Sequence, residues 1–281
     1  RNRITIFMAS LLELRATHIE KMNRLKEAGM EPYPAHVERS FPLDEAKDRF
    51  NLYENDGKQY SLSGRIMAIR GQGAILFVVL DDGTARFQTV FKKDSMDETV
   101  FQLFVETVDI GDIVSVTGSF FTTQRGEQSL LVSSWQMASK SLLPLPEKWH
   151  GITDPDERLR KRYLDIAMDP ELRSVFLKKS QFWQAARNFM THHGFLEVET
   201  PTLEVTTGGA EANPFKTHHK DFDLPVYLRI SVGELWQKRL MAAGFPKTFE
   251  IGRVYRNEGS SPEHIQEFTN MEFYWAYADY K

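Results

Sequence analysis

The chain contains no cysteine. That excludes a disulfide scaffold, a thiol nucleophile and any zinc or iron–sulfur site built on cysteine. Long hydrophobic runs are also missing. Nothing approaches the run of about 20 apolar residues that crosses a bilayer, and the most apolar early stretch, Ile4 to Leu14, is broken by Ser10 and Glu13. No small-residue cleavage site follows it, so the sequence predicts no signal peptide and a cytoplasmic protein without membrane contact. Charge of one sign is lacking too. A net charge of −4 over 281 residues excludes a uniformly basic coat for nucleic acid but leaves room for a local basic patch. What is present is globular composition, 41% hydrophobic and 26% charged, enough for one large or two medium domains. The sequence starts at Arg1 rather than Met and stops just after a strand-like segment, so it is expected to be a piece of a longer protein.

Residues 8–29 read as a helix, with Leu11, Leu14, His18, Met22 and Leu25 at spacings of three and four and Gly29 as the stop. Its other face mixes Arg15, Lys21, Arg24 and Lys26 with Glu13, Glu20 and Glu27. That is either a solvated face with i,i+4 pairs or one that tracks a nucleic-acid backbone. Met30 to Phe41 is a proline-rich connector, and residues 1–58 are assigned to this helix and connector. From 59 to 139 the period becomes two. Strands are predicted near 60–69, 74–80, 85–92, 112–122 and 127–137, with turn signals such as Gly71-Gln-Gly73 and Asp81-Asp-Gly83 between them. Helical spacing between the third and fourth strands gives the order of an OB-fold barrel, with a generic small barrel as the alternative.

Residues 140–157 read as a linker punctuated by Pro144, Pro146 and Pro155. A second domain, 158–281, opens on a basic cluster of Arg158, Arg160, Lys161 and Arg162. Asp169-Pro170 then starts a helix of about six turns that ends at Gly194. A strand from Phe195 to Pro201 follows. The fold class expected is α+β: an OB-fold barrel with a flanking helix, followed by part of an antiparallel-sheet domain.

The most informative segment is the long hairpin at the end. Strands near 249–256 and 267–276 flank a polar loop. Alternation puts Glu250, Gly252, Val254 and Arg256 on one face of the first strand, and Phe268, Asn270, Glu272 and Tyr274 on one face of the second. An aromatic, an amide, a carboxylate and a phenol in a row are odd choices for a core. Roofed over, they make a polar pocket in which Arg256 grips an anion, Phe268 stacks a flat ring, and Glu272 with Tyr274 holds a cation. Left open, they are an exposed sheet face with ordinary cross-strand pairs.

The segment Phe249-Glu-Ile-Gly-Arg-Val-Tyr-Arg-Asn-Glu258, with Glu267-Phe-Thr-Asn-Met-Glu-Phe-Tyr274, resembles motif 2 of class II aminoacyl-tRNA synthetases. Gly194-Phe-Leu-Glu-Val-Glu-Thr-Pro201 resembles motif 1. Gly208-Gly-Ala-Glu-Ala-Asn-Pro-Phe215, Thr217-His-His219, Tyr227-Leu-Arg-Ile230 and Met271-Glu-Phe-Tyr274 resemble the lysine-specific members, as does the linker Leu143-Pro-Leu-Pro-Glu-Lys-Trp-His-Gly151. The likeness runs from about Ile19 to Tyr280.

The resemblance implies ATP-dependent ligation of L-lysine to tRNA through a lysyl-adenylate. It gives Arg256 the α-phosphate and the lysine carboxylate, Glu258 the adenine amino group, Phe268 the adenine ring, and His264 a place near the γ-phosphate. Glu272 and Tyr274 would select the ε-ammonium, and Gly209 and Glu234 would receive the α-ammonium. In the barrel, Arg70, Phe77, Gln88 and Glu127 match anticodon-reading positions. On its own Phe77 reads as a core residue; the resemblance places it against a base. The motif 1 helix implies a homodimer.

Adjacent histidines, His192-His193 and His218-His219, make poor chelates, and no metal is expected to be held within this chain. Mg2+ would come on ATP, completed by carboxylates beyond residue 281. Motif 3 is absent, so the 281 residues carry half an active site, expected to be inactive alone. The loop Ser261-Pro-Glu-His-Ile-Gln266 departs from the common His-Asn-Pro form, leaving Ile265 and Gln266 without a role. The rivals are an aspartate- or asparagine-specific relative and a non-catalytic RNA-binding protein.

Overall fold

The computed structural model describes residues 2–71, 73–146 and 152–280, with only the backbone of residues 2–10. Gln72 of the first barrel turn and residues 147–151 of the expected linker lie outside the described residues. The chain divides into two compact units, residues 1–172 and 173–281.

The first unit begins with α1 (Asn2–Glu27), α2 (Leu43–Asp48) and α3 (Phe50–Glu54). The barrel follows as β1 (Tyr60–Arg70), β2 (Ile75–Asp81), β3 (Arg86–Lys92), α4 (Glu98–Thr107), β4 (Ile113–Thr122) and β5 (Gln128–Ser139). The ring order is β1-β2-β3-β5-β4, and β4 pairs back onto β1, so the barrel closes. Five strands with a helix between the third and fourth is the order read from the sequence. Along β2, Leu76, Val78 and Leu80 enter the core while Phe77 and Val79 are only half-buried, as period two demands. Asp97 starts α4 by accepting the Thr99 and Val100 N–H groups. That orients Phe104 to stack on Phe91 at 3.9 Å, with Trp135 edge-on at 5.1 Å.

Two readings of this unit need correction. The stretch ahead of the barrel is not only connector: α2 and α3 bury Leu43, Ala46 and Phe50. Helices of six and five residues are too short to show a period. The apolar stripe of α1 is narrower than expected. Leu25 and His18 are buried, but Leu14 is 42% exposed. The C-terminal half of α1 is held instead through Asp109, which pairs with Lys21 and with the fully buried Lys140, and Lys140 also meets Asp112 at 2.7 Å. His18 Nδ1 lies 2.8 Å from the Ser141 carbonyl. Burial alone would raise the Asp109 carboxyl; bonds from Lys140 and Lys21 hold it below the usual value.

Two short helices follow the barrel, α5 (Pro155–Arg160) and α6 (Arg162–Met168). All four residues of the basic cluster are ion-paired there: Arg158 and Arg162 with Asp165, Arg160 with Asp156, and Lys161 with Glu157.

The second unit follows from α7 (Pro170–His192), within whose first turn the two units divide. Then come β6 (Leu196–Glu197), β7 (Leu203–Glu204), β8 (Lys216–His219), β9 (Leu224–Leu228), α8 (Glu234–Ala242), β10 (Lys247–Tyr255) and β11 (Glu267–Trp275). One sheet has the order β11-β10-β6, the other β7-β9-β8. Met190 of α7 packs with Phe195 and Phe249, so one face of the first sheet is apolar. The strand read over Phe195–Pro201 is a correction, since only Leu196 and Glu197 pair with β10. At Thr200 the chain leaves the ladder because its N–H and hydroxyl donate to the buried Glu250 carboxylate instead. Among the described residues, no helix is long and apolar enough to cross a membrane.

Candidate functional site

The register of the terminal hairpin decides what shares a face. Thr248 pairs with Tyr274, Glu250 with Glu272, Gly252 with Asn270, and Val254 with Phe268. The two sets predicted by alternation therefore lie on one side of the sheet. The Arg256 N–H donates to the Gln266 carbonyl at 2.8 Å, which carries the ladder on past Val254.

Residues 229–233 and α8 lie over this face. Arg229, 4% exposed, donates Nε to the Arg253 carbonyl at 2.7 Å and Nη1 to Glu250 Oε1 at 2.5 Å. Glu250 Oε2 accepts from the Thr200 hydroxyl at 2.6 Å. Breaking one partner of such a buried pair costs about 3–5 kcal/mol, because the other charge is left unpaired. Gly252 is required beneath it, since a Cβ there would collide with the Arg229 guanidinium.

With Arg229 fixed, the next residues point their backbone groups at the hairpin. Ile230 O accepts from Arg256 Nε at 3.3 Å, and Val232 N–H donates to Glu272 Oε1 at 3.0 Å. The fully buried Gln237 of α8 clamps this arrangement. Its Nε2 donates to Val232 O at 3.0 Å and Glu272 O at 3.3 Å, and its Oε1 accepts from the Thr248 hydroxyl at 2.9 Å.

The structure thus brings Arg256, Phe268, Glu272 and Tyr274 together on one half-buried polar face. The Arg256 guanidinium lies 5.3 Å from the Phe268 ring centroid, within cation–π range. Burial pushes the Glu272 carboxyl above the usual value. The Val232 N–H and Arg256 pull it down, Glu234 and Glu250 push it up, and the net direction is upward. Tyr274 is pushed up to about 12 by burial and by the charges of Glu234 and Glu272, so its hydroxyl keeps its proton near neutrality.

Gly209 and Glu234 meet at the start of α8. Gly209 has φ +91°, and a Cβ there would fall on the Ser231 hydroxyl and lie 2.8 Å from Glu234 Cβ. Glu234 Oε1 accepts from Lys238 at 2.6 Å. Glu258 is exposed, and its carboxylate accepts from Asn213 N–H at 3.3 Å. Among the described residues no hydrogen bond or ion pair brings His264 to the others. It is exposed on the loop, with Nδ1 2.8 Å from the Ser261 hydroxyl. Gln266 does have a structural role, since its amide ties the loop through Glu258 O and Ser260 Oγ.

Sequence reasoning missed Arg229, Gln237, Thr248 and Thr200 as supports of the face. Of these only Thr248 left a signal, since it alternates with Glu250 on the polar face of the strand; Arg229, Gln237 and Thr200 left none.

On the barrel, Arg70 pairs with Phe77 and Val79 with Gln88, so Arg70, Phe77 and Gln88 share its outer face. Phe77 is half-buried on that face and outside the core. Gln88 Nε2 donates to Ser129 Oγ at 2.9 Å. Glu127 lies exposed ahead of β5, where its N–H bonds the Thr123 hydroxyl at 2.9 Å.

Residues 154–281 match the family of class II tRNA synthetases (D, K and N), and residues 60–138 match the OB-fold nucleic acid binding domain. The chain belongs to the class II tRNA synthetases. Within that family it is similar to lysine–tRNA ligases. It is 45% identical over 268 residues to that of Moorella thermoacetica, covering 95% of this chain and 54% of the relative. To that of Clostridium perfringens it is 46% identical over 262 residues (93% and 52%), and to that of Carboxydothermus hydrogenoformans 44% over 270 (96% and 54%). The chain therefore spans about half the length of the curated relatives it matches.

Proposed function

We propose that the chain supplies the anticodon-binding barrel and the first half of the catalytic site of a cytoplasmic enzyme that joins L-lysine to its tRNA through a lysyl-adenylate. The carrying observation is that Arg256 and Glu272 are both bound to residues 230–232 on one polar face. In the reaction, lysine's carboxylate attacks the α-phosphorus of ATP and pyrophosphate leaves. The substrate carboxylate is itself the nucleophile, so the protein supplies positioning and charge. Arg256 has a guanidinium fork suited to the α-phosphate and the amino acid carboxylate together. Phe268 offers a ring for adenine, and Glu258 accepts from its amino group. Glu272, with the Tyr274 hydroxyl, takes the ε-ammonium, while the Gly209 carbonyl and Glu234 take the α-ammonium. His264 joins the γ-phosphate only if the loop carrying it closes over ATP. Neutral amino acids are rejected because they would leave Glu272 desolvated and unpaired.

Mg2+ supplies charge neutralisation at the phosphates when bound. Among the described residues no three carboxylates or histidines are grouped to hold a metal. Glu234, Glu250 and Glu272 each already accept from protein donors. These side chains do not form a Mg2+ shell by themselves; the ion would arrive on ATP and be completed by carboxylates outside the 281 residues.

The barrel face with Arg70, Phe77 and Gln88 suits splayed anticodon bases: the ring stacks, and the amide bonds a base edge, with Glu127 at the rim. Val175, Phe176, Phe182 and Phe189 are exposed on α7, which supports a homodimer seated on that helix. Lysine-dependent exchange between ATP and pyrophosphate tests the reading in a version continued by the C-terminal half of the Moorella thermoacetica relative. Stimulation by lysine alone supports it. Stimulation by aspartate or asparagine overturns the choice of amino acid, and tRNA binding with no exchange overturns catalysis.

A further inference from the structure

Asn270 stands in the middle of the polar face and has no part in the recognition just described. It lies on β11 between Phe268 and Glu272 and is half-buried. Its Oδ1 accepts from the Met271 N–H at 3.0 Å. That bond fixes which end of the amide is the acceptor and leaves Nδ2 as the donor, which meets Glu272 Oε1 at 3.1 Å. The same Oε1 accepts from the Val232 N–H at 3.0 Å. Both bonds to this carboxylate thus fall on one oxygen, from donors on two different elements. Across the ladder β10 offers no side chain, because Asn270 pairs with Gly252, where Arg229 leaves no room for a Cβ.

We infer that Asn270 is a positioning residue for amino acid selectivity: with the Val232 N–H it pins Glu272 Oε1, so that Oε2 is presented to the substrate's side-chain ammonium. The inference rests on the lysine reading above. Its physical content is directional. An unpinned carboxylate on this face would be drawn toward Arg256, the nearby cation that acts on it. The other charges facing Glu272 are Glu234 at the start of α8 and Glu250 across the ladder, itself held by Arg229; Tyr274 follows on the same strand. None of these donates to Oε1. Among the described residues, Asn270 and Val232 are the donors that hold that oxygen in place, and a donor to a carboxylate also favours its ionised form.

The test is nuclear magnetic resonance of the 281-residue chain with carboxyl-labelled glutamate. In the unsubstituted chain the Asn270 side-chain NH2 signals should titrate with the Glu272 midpoint, a measurement that needs no variant. In Asn270→Leu the Glu272 midpoint should rise by about one pH unit, a tenfold change in proton affinity. Asn270→Asp, which puts a second negative charge beside Glu272, should raise it as well. In the version continued by the relative's C-terminal half, L-lysine should lower the midpoint when Asn270 is unsubstituted, and its Kd should weaken about tenfold in Asn270→Leu. The Kd of L-norleucine, with the same four side-chain carbons and no ammonium, should not change. An unmoved Glu272 midpoint in Asn270→Leu with lysine still bound, or NH2 signals that ignore Glu272, overturns the role of Asn270 alone. Coupled titration with a midpoint that saturating lysine leaves unmoved in the version continued by the relative's C-terminal half overturns the lysine reading, and the selectivity role with it.

Discussion

Arg256 and Glu272 reach the same short stretch of backbone from opposite strands of a hairpin. Arg256 Nε donates to Ile230 O, and Glu272 Oε1 accepts from Val232 N–H two residues on. A group that grips anions and a group that grips cations are thereby set at a fixed spacing. The spacing is supported from below by Arg229 and Glu250 and from the side by Gln237.

Replacing Glu272 by Gln keeps the shape and an acceptor for Val232 but removes the charge. In the version continued by the relative's C-terminal half, kcat/KM for lysine in pyrophosphate exchange should fall by 10²-fold or more, about 3 kcal/mol for an unpaired ammonium. The KM for ATP should stay within about twofold of its starting value. Loss of both in equal measure would mean that Glu272 supports the fold and not the amino acid.

The raised Glu272 carboxyl gives a pH dependence with a definite sign. Lysine needs the ionised form, so lysine affinity should weaken as pH falls through the raised midpoint, beginning above the range of an ordinary glutamate. Stability runs the other way. The folded chain holds this proton more tightly than the unfolded one, so the contribution is present below the ordinary glutamate value and is lost as pH rises through the folded midpoint. Glu272→Gln should therefore raise Tm relative to the unsubstituted chain by more at pH 7 than at pH 4. An equal difference at both pH values contradicts the assignment.

Gly209→Ala tests the meeting of Gly209 with α8. Its φ of +91° strains any L side chain, and the added methyl would strike Ser231 and Glu234. Calorimetric melting should show a loss of at least 1–2 kcal/mol, the order expected for a side chain in that region, and lysine affinity should fall with it. An alanine variant as stable as the starting chain would mean that the Gly208–Gly209 backbone is not fixed against Glu234.

On the barrel, Phe77→Ala should weaken binding of an anticodon stem-loop by about 1–3 kcal/mol, the value of one stacked base. Because the ring is outside the core, thermal stability should change by much less than for a core phenylalanine such as Phe91. Gln88→Ala should alter base preference more than overall affinity. Unchanged RNA binding in both variants, measured by fluorescence anisotropy, would remove this face from the interface.

Much of this arrangement was legible in the sequence because it depends on alternation. The barrel strands, the faces of the hairpin and the α7 span all follow from period two or from an N-cap acid followed by proline. What was not legible depends on long-range partners. Phe195 to Pro201 reads as a strand until Glu250 takes the Thr200 donors. Arg229 and Gln237 look like surface residues until their carbonyl and carboxylate partners arrive from elsewhere in the chain. The short helices α2 and α3 have no period to detect, and Leu14 fits a helical stripe yet stays exposed in the structure.

The most direct test of the central claim is calorimetric titration with a non-hydrolysable lysyl-adenylate analogue and its norleucyl counterpart, in the version continued by the relative's C-terminal half. The lysyl form should bind at least 10²-fold more tightly, an advantage of about 3 kcal/mol that disappears in Glu272→Gln, and both forms should weaken in Arg256→Ala. Equal binding of the two analogues, or binding indifferent to Arg256 and Glu272, would contradict it.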